Sequence, residues 1–293
     1  MQKKPNTRQN HAVPVGRLTL QIAQLSPRRQ EIIRPVLENP REFVLLSVRA
    51  AAQRLGTDPA TTVRIVQQLG FDGYRSFQNY LHDLSIANAT SLEGMQASVA
   101  KDGSIPSHIR DCLDQDLKNL AALRNSLDPS RITLLAKRIH SARRILILGG
   151  DFAANLVHYM EYQMTLLGLP VLIATTTGRT MHVTRTLGRK DLVIAISFRR
   201  GLRQTIEGLQ IARQNGAYCV GITDTYISPI AQFTDEFFLS SVESGSFTAS
   251  YVAPIALANV ILVAFGNFDR ERTLNYLRPA AEEQKHGFRW YEV

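Results

Sequence analysis

The hydrophobic positions of this chain follow two different patterns, which divide it into an N-terminal and a C-terminal part. Between Ser26 and Gly70 the apolar residues recur three or four residues apart, which predicts a series of short helices. After Arg144 they form continuous, largely β-branched runs separated by helical stretches, which is typical of buried parallel strands. The five runs are RILILGG, PVLIATTT, DLVIAISF, AYCVGITD and EFFLSSV. We therefore expect an all-α domain followed by a doubly wound α/β domain with a five-stranded parallel sheet.

Capping residues set the boundaries of the N-terminal helices. Ser26 and Asp58 are each followed by proline, the arrangement expected of an N-cap with proline at the first helical position. Gly56 is expected to end the preceding helix, because glycine readily takes the left-handed conformation found there. Pro35 removes one backbone hydrogen bond from the first helix, so we expect that helix to be kinked or divided.

A long helix is predicted between the two parts, within PSHIRDCLDQDLKNLAALRNSL. Such a helix either joins the two domains or packs against a second copy of the chain. Residues 91–127 are accordingly interpreted as a linker and a connecting helix. The apolar positions of this helix form one stripe, made of Ile109, Leu113, Leu117, Leu120 and Leu123.

The positive charge is concentrated in the first third of the chain. The net charge is +9; residues 1–90 hold 12 Lys and Arg against 6 Asp and Glu, whereas residues 91–293 hold 22 against 19. A basic N-terminal part suggests a polyanionic partner, with nucleic acid ahead of a membrane surface. On composition alone, a basic surface without a partner is an equally good interpretation.

The remaining composition favours a globular protein of the cytoplasm. Hydrophobic residues make up 44% of the chain and charged residues 20%. Cys112 and Cys219 are far apart and form neither a disulfide framework nor a metal-ligand spacing, so no metal or cofactor is predicted. Residues 1–16 are polar and basic, without the apolar core of a signal peptide, and are expected to form a flexible tail. No apolar run has the length of a membrane span, so no membrane partner is expected.

The segment LGTDPATTVRIVQQLGF has the features of a DNA-reading helix. Ala52 and Gly56 are small enough for two helices to cross closely, as in a helix-turn-helix. The second helix contains no acidic residue, which would be repelled by phosphates, and its Arg and Gln side chains are suited to guanine and adenine edges. An ordinary helical hairpin is the alternative. The candidate DNA-binding residues are Thr61, Thr62, Arg64, Gln67 and Gln68.

These residues also carry a resemblance to a known family. LSPRRQEIIRPVLENPREF and LGTDPATTVRIVQQLGFDGYRSFQNYL resemble the N-terminal domain of the RpiR/MurR family of bacterial transcriptional regulators, over about residues 18–85. Thr62 departs from the family pattern, which usually has a buried valine there. We expect Val63 to take over this packing, with a slight rotation of the helix. The matching positions are Thr61, Arg64, Leu69, Gly70, Phe71 and Tyr74.

The second part, over roughly residues 128–266, resembles the SIS (sugar isomerase) domain, which RpiR-type regulators carry after their DNA-binding domain. SIS domains usually follow the first strand with Gly-x-Gly-x-Ser, but here the motif reads GGDFA, with Asp151 for the second glycine and Ala153 for the serine. After the third strand they usually carry Ser-x-Ser-Gly-x-Thr. Here that turn reads SFRRGL, and Ser197 alone remains of its three hydroxyl residues.

Two interpretations of the altered turn stay open. Arg199 and Arg200 lie at a predicted helix N-terminus, where their guanidinium groups would bind phosphate or carboxylate. Alternatively they face solvent or a partner subunit, and the ligand is no longer a phosphosugar. Thr223 and Ser228 are equally suited to local turn and cap bonds, and Glu243 to capping the last long helix. The candidate effector-binding residues are Ser197, Arg199, Arg200, Thr223, Ser228 and Glu243.

Together these features predict a transcriptional regulator rather than an enzyme, and no catalytic residue is assigned. The expected partners are double-stranded operator DNA, a small anionic metabolite such as a sugar phosphate, and further copies of the chain in a homodimer or homotetramer. The alternatives are a sugar-phosphate isomerase with a non-reading head and a basic protein that binds DNA without sequence preference. The expected organisation is a helix-turn-helix domain over residues 17–90, the linker, an SIS-like effector-binding domain over 128–268 and a C-terminal tail over 269–293.

Overall fold

The computed structural model describes residues 21–286, except positions 23, 39, 45, 88–90, 101–102, 200, 226–227 and 246. Contacts divide the chain into two compact units, Met1–Ala87 and Asn88–Val293. The first unit is helical where it is described, and the second combines helices with a parallel sheet. The predicted fold class is therefore confirmed.

The N-terminal unit consists of short helices whose starts are set by capping side chains. Ser47 Oγ accepts a hydrogen bond from the backbone N–H of Ala50 at 3.3 Å, and Asp58 Oδ1 accepts one from Thr61 at 2.9 Å. The first helix runs through Pro35 without being divided. The helices are α1 (Pro27–Glu38), α2 (Arg41–Val44), α3 (Val48–Arg54), α4 (Pro59–Gln68) and α5 (Tyr74–Ala87).

Small residues allow α3 and α4 to cross closely. Gly56 lies between them with a φ of 63°, in the left-handed region that favours glycine. The N–H of Thr57 donates to the carbonyl oxygen of Ala52 at 2.9 Å, which closes the turn, and Ala52 is buried. Ile65 and Val66 of α4 are also fully buried. One face of α4 is therefore fixed in the core, and the opposite face is directed outward.

The C-terminal unit alternates strands and helices in the predicted order, and each of the five apolar runs forms a strand. The connecting helix predicted within residues 91–127 is α7, and the segment before it forms a further helix, α6. The C-terminal stretch forms α14. The helices are α6 (Ser91–Ala100), α7 (Ile105–Ser126), α8 (Pro129–Ser141), α9 (Ala154–Leu166), α10 (Thr177–Thr184), α11 (Arg203–Gln214), α12 (Pro229–Phe233), α13 (Val252–Phe268) and α14 (Arg270–His286). The strands are β1 (Arg144–Leu148), β2 (Val171–Ala174), β3 (Asp191–Ile196), β4 (Tyr218–Thr223) and β5 (Glu236–Leu239).

The strand order creates a crevice at one point of the sheet. All five strands are parallel and lie in the order β2-β1-β3-β4-β5. Leu148 at the end of β1 therefore pairs with Ala174 on one side and with Ala195 on the other. The chain leaves β1 toward one edge of the sheet and β3 toward the opposite edge, so a crevice opens between the carboxyl ends of these two strands.

Successive residues of the strands face two separate hydrophobic cores. In β1, Ile145 and Ile147 pack into the core that α8, α9 and α13 cover. Leu146 and Leu148 pack into the core on the other face, with residues of α11 and α12. Helices therefore cover both faces of the sheet, which explains why its strands are apolar at nearly every position.

The apolar stripe of α7 is buried at one end and exposed along the rest. Leu123 is buried in the core of the C-terminal unit. Ile109, Leu113 and Leu117 are 57%, 59% and 64% exposed, and Ile105 extends this row by one turn at 76%. The predicted stripe is thus divided: its C-terminal end packs into the core, and four apolar side chains spaced four residues apart are exposed on the surface of this unit.

Helix α13 is strongly apolar and lies in the core, where Leu257, Ile261 and Phe265 are buried. Across the described part of the chain, no single helix combines the length and the apolar composition needed to cross a membrane. Val252–Phe268 and Arg270–Lys285 meet both criteria when taken together, across a bend of 106°. The burial of these three residues accounts for part of the apolar character of α13, whereas Ile255, Val263 and Phe268 are exposed.

Candidate functional site

The outward face of α4 carries the long polar side chains that the sequence singled out. Arg64, Gln67 and Gln68 are all exposed. Arg29 Nη1 of α1 donates a 2.8 Å hydrogen bond to Gln68 Oε1, which holds a second guanidinium group beside this face. The surface therefore combines guanidinium and amide groups, the two kinds of donor suited to purine edges and phosphates.

Both threonines at the start of α4 make hydrogen bonds within the helix. Thr61 Oγ1 donates to Asp58 Oδ2 at 2.6 Å, and the hydrogen bonds from Thr61 lower the pKa of that carboxyl. Thr62 is 2% exposed, and its Oγ1 donates to the Asp58 carbonyl oxygen at 3.1 Å. The structure therefore corrects the expectation for Thr62. It occupies the buried position itself while Val63 is half-buried, so its side chain does not reach the outward face.

A cavity of about 500 Å³ opens at the carboxyl ends of β1 and β3, where the strand order predicts a ligand site. Its walls come from the turn after β1, the turn after β3 and the stretch before α13. Gly150 allows the turn after β1 to lie close to the turn after β3, since a Cβ at this position would be 2.5 Å from Leu202 Cδ2. The lining residues are 150–153, 197–199, 201, 202, 248, 249 and 251, with Ser91.

Two of the predicted effector residues line this cavity. Ser197 is buried, and its Oγ accepts a 2.9 Å hydrogen bond from the N–H of Leu202, which positions the start of α11. The backbone N–H of Arg199 donates to Asp224 Oδ1 at 2.8 Å. Arg200, the third predicted residue of this turn, lies outside the described residues.

Strained backbone is concentrated in the cavity wall. Asp151 and Arg199 have φ values of 54° and 60°, and they are the two non-glycine residues with positive φ within the described ranges. Side chains disfavour this conformation, which persists where the surroundings hold it in place. At Arg199, the hydrogen bond to Asp224 provides part of that support. Two such residues at one cavity indicate a functional site.

Burial determines the protonation of the groups behind the cavity. Desolvation raises the pKa of Asp224 to about 6, although the hydrogen bond from Arg199 acts in the opposite direction. Burial also raises the pKa of Tyr251, and the nearby carboxylates of Asp224 and Asp151 raise it further. The tyrosine hydroxyl therefore stays neutral and able to donate a hydrogen bond. Among the described lining residues, the cavity thus combines the acidic side chain of Asp151 with the guanidinium group of Arg199, and Asp224 lies behind them.

Three further predicted effector residues are not among those lining the cavity. Thr223 is fully buried at the end of β4, and Ser228 is buried and caps α12. Glu243 Oε2 accepts a 3.2 Å hydrogen bond from Gln115 Nε2 of α7. Because α13 begins at Val252, Glu243 does not cap it.

The sequence analysis did not single out the aromatic residues of the cavity. The rings of Phe152 and Phe198 each meet the ring of Tyr251 edge-to-face, at centroid distances of 4.7 and 5.2 Å. Phe152 and Phe198 lie inside the two altered motifs, and their position there could have identified them as cavity residues from the sequence. Nothing in the local sequence connects Tyr251 with them, because the contact arises from folding.

Comparisons with known proteins agree with this arrangement. The SIS domain model matches residues 138–264. The HTH-type transcriptional regulator HexR of Escherichia coli K12 is 22% identical over 252 residues, which cover 86% of each protein. The sugar isomerase domain of an RpiR transcription factor from Sphaerobacter thermophilus is 25% identical with a TM-score of 0.57, covering 61% of this chain and 99% of that one. The Vibrio vulnificus NanR protein complexed with ManNAc-6P is 19% identical with a TM-score of 0.56, covering 92% and 97%.

The match to HexR extends beyond the α/β unit, because 86% coverage exceeds the length of that unit. The likeness to NanR likewise covers 92% of the chain and shows a shared fold. The SIS match coincides with the sheet and the helices that form the cavity. The chain contains a SIS domain, and it is similar over most of its length to HTH-type transcriptional regulators, with the SIS domain of an RpiR transcription factor among its structural relatives.

Proposed function

We propose that this regulator binds operator DNA through α4, and that a sugar phosphate or a related anionic metabolite binds in the SIS cavity and changes its affinity for DNA. The observation that carries the proposal is the two-sided structure of α4. Ile65 and Val66 fix one face in the core, whereas Arg64 and Gln67 are directed outward. A helix held in this way can enter a major groove without losing its packing.

The charge of the N-terminal unit supports the DNA-binding part of the proposal. Arg49, Arg64 and Arg75 are exposed in three successive helices, and the sequence of α4 contains no acidic residue. Exposed arginines attract phosphates without sequence preference, while Arg and Gln side chains on a recognition helix discriminate between bases. We assign base reading to Arg64, Gln67 and Gln68, and we assign Thr61 to the capping of the helix.

The position of the cavity supports the effector part. It lies at the switch point of the sheet and beside the start of α11, where backbone N–H groups favour an anion. We assign Arg199 to the anionic group of the ligand and Ser197 to the positioning of the turn. The structurally similar NanR protein was solved with ManNAc-6P, a phosphorylated sugar. Ligand binding would change DNA affinity only through different affinities for two arrangements of the protein.

We further propose that the cavity does not catalyse isomerisation. Glu243, the acidic residue that follows β5, is hydrogen-bonded to α7 and does not line the cavity, which leaves Asp151 as the acidic side chain among the described lining residues. An isomerase needs a base within hydrogen-bonding reach of the substrate carbon, or one water away from it. HexR of Escherichia coli is likewise named a regulator.

A dimer would bring two DNA-reading units to a two-fold operator, and the exposed row on α7 is the surface that we assign to it. If two copies of α7 pack antiparallel, Ile105 faces Leu117 and Ile109 faces Leu113, so the row is complementary to itself. Arg110 and Asp114, exposed beside the row, would then lie near each other across the interface.

Footprinting on genomic DNA at physiological salt tests the proposed function. Protection of one two-fold symmetric sequence, altered by a phosphorylated metabolite, is the expected result. Uniform protection would instead show binding without sequence preference. Robust interconversion of aldose and ketose phosphates by the purified protein would show that the cavity is an isomerase site.

A further inference from the structure

The wall of the SIS cavity contains a cluster of three aromatic rings, Phe152, Phe198 and Tyr251. Tyr251 lies at its centre, with Phe152 at 4.7 Å and an interplanar angle of 84°, and Phe198 at 5.2 Å and 78°. The three residues come from the turn after β1, the turn after β3 and the stretch before α13. They therefore form one continuous apolar wall from three separate segments.

This wall is accessible to a ligand. Phe152 is 50% exposed although it lies in a concave site, so much of its ring lacks an apolar neighbour. Partial burial raises the pKa of Tyr251, so its hydroxyl stays neutral and can donate a hydrogen bond to a ligand. An aromatic wall with one neutral donor favours a ligand surface made mainly of carbon and hydrogen.

The hydroxyl groups that would bind a heavily hydroxylated sugar are largely missing from the same wall. Ala153, Arg199 and Leu202 occupy positions where the SIS pattern has hydroxyl side chains. Of the hydroxyls in this pattern Ser197 remains, and its Oγ already accepts a hydrogen bond from the N–H of Leu202. Ser91 and Thr248 supply two hydroxyl side chains elsewhere in the lining. Burying several sugar hydroxyls without partners is costly, so such a ligand is disfavoured.

We propose that the ligand is a phosphate ester whose body is ring-sized and apolar on one face, and that Phe152, Phe198 and Tyr251 select it over fully hydroxylated sugar phosphates. This inference rests on the proposed function, because it takes the cavity as the effector site. Arg199 and the start of α11 bind the phosphate, and the aromatic wall contacts the body of the ligand. The preference for an apolar ligand body therefore depends on the aromatic residues that flank the positions of the missing hydroxyls, and phosphate binding depends on Arg199, which replaces one of them.

The test is calorimetric titration of the full chain with inorganic phosphate, glucose 6-phosphate and phenyl phosphate. Phenyl phosphate is expected to bind at least tenfold more tightly than either other probe, because it alone offers an apolar ring. Phe152→Ala should reduce the affinity for phenyl phosphate at least fivefold and change that for inorganic phosphate less than twofold. Phe152→Leu, which keeps an apolar side chain, should retain part of the preference.

Phe268→Ala is the matched control, since Phe268 is an exposed phenylalanine at the far end of α13, outside the cavity. It should leave all three affinities unchanged. If glucose 6-phosphate binds as tightly as phenyl phosphate, or if the preference survives in Phe152→Ala, the inference is overturned while the proposed function stands. If none of the three phosphates binds to the wild type, the proposed anionic effector is overturned together with it.

Discussion

Replacing Asp224 with asparagine should make the SIS domain more stable at neutral pH. The pKa of Asp224 is about 6 in the folded chain, compared with an ordinary value of 3.8. Between these values the folded state binds more protons than the unfolded state, so the carboxyl destabilises the fold increasingly as pH rises from 4 to 6. The difference in pKa corresponds to about 3 kcal/mol at pH 7.

Asp224→Asn removes the charge but keeps an oxygen that can accept the hydrogen bond from Arg199. Its free energy of unfolding at pH 7 is therefore expected to rise by up to about 3 kcal/mol, with little change at pH 4. Asp224→Ala removes the acceptor as well and should be less stable than the asparagine variant by about 1–3 kcal/mol.

Urea unfolding of the wild type and both variants, at several pH values from 4 to 7.5, measures these differences. Asp114→Asn, on the exposed surface of α7, serves as the control and should not alter the pH profile. If the asparagine variant gains no stability at pH 7, or keeps the wild-type pH dependence, burial does not raise the pKa of the Asp224 carboxyl. A gain would indicate that the charge is retained for function at the expense of stability.

Three further substitutions test other parts of the structure. Arg64→Ala should weaken operator binding by about 1–3 kcal/mol and relax preference at one base position, as measured by anisotropy with single-base operator variants; unchanged affinity would exclude it from base reading. Leu113→Glu should produce monomers in sedimentation velocity, whereas Leu134→Glu, at another exposed leucine, should not; a dimeric Leu113→Glu would exclude the α7 surface. Asp191→Asn should lower stability at pH 7 by about 3 kcal/mol, because it breaks ion pairs of a buried carboxylate. Burial alone would raise the pKa of Asp191, but hydrogen bonds from Arg143 and Arg144 lower it below 3.8. The wild type should therefore lose the stability that these ion pairs contribute as pH falls below 3.8. Equal stability of the wild type and Asp191→Asn at pH 7 would show that the ion pairs do not stabilise the fold.

The strands and the start of α4 were predictable because their signals are local. Five β-branched runs are long enough to be recognised one at a time, and their spacing leaves room for the helices between them. Asp58 followed by proline similarly marks the start of α4 within two residues. Each of these elements depends on neighbours close in sequence.

The parts that were not predictable depend on contacts between distant segments. Thr62 is a polar residue, and its burial follows from a hydrogen bond to the Asp58 carbonyl oxygen that periodicity does not reveal. Glu243 was a reasonable candidate for the site until the structure placed its carboxylate against Gln115, 128 residues earlier. Tyr251 belongs to the cavity because the stretch before α13 packs against the turns after β1 and β3. Such assignments require the tertiary structure.

The three segments that form the cavity wall, around residues 150, 200 and 250, are each separated by about fifty residues of chain. A ligand that touches all three therefore acts as a reversible cross-link between distant loops. Cross-links of this kind reduce the number of open conformations available to each loop, and their effect grows with ligand concentration. A bound ligand is thus expected first to slow local opening of the loops along the carboxyl edge of the sheet. Binding of a small molecule would in this way make the domain stiffer.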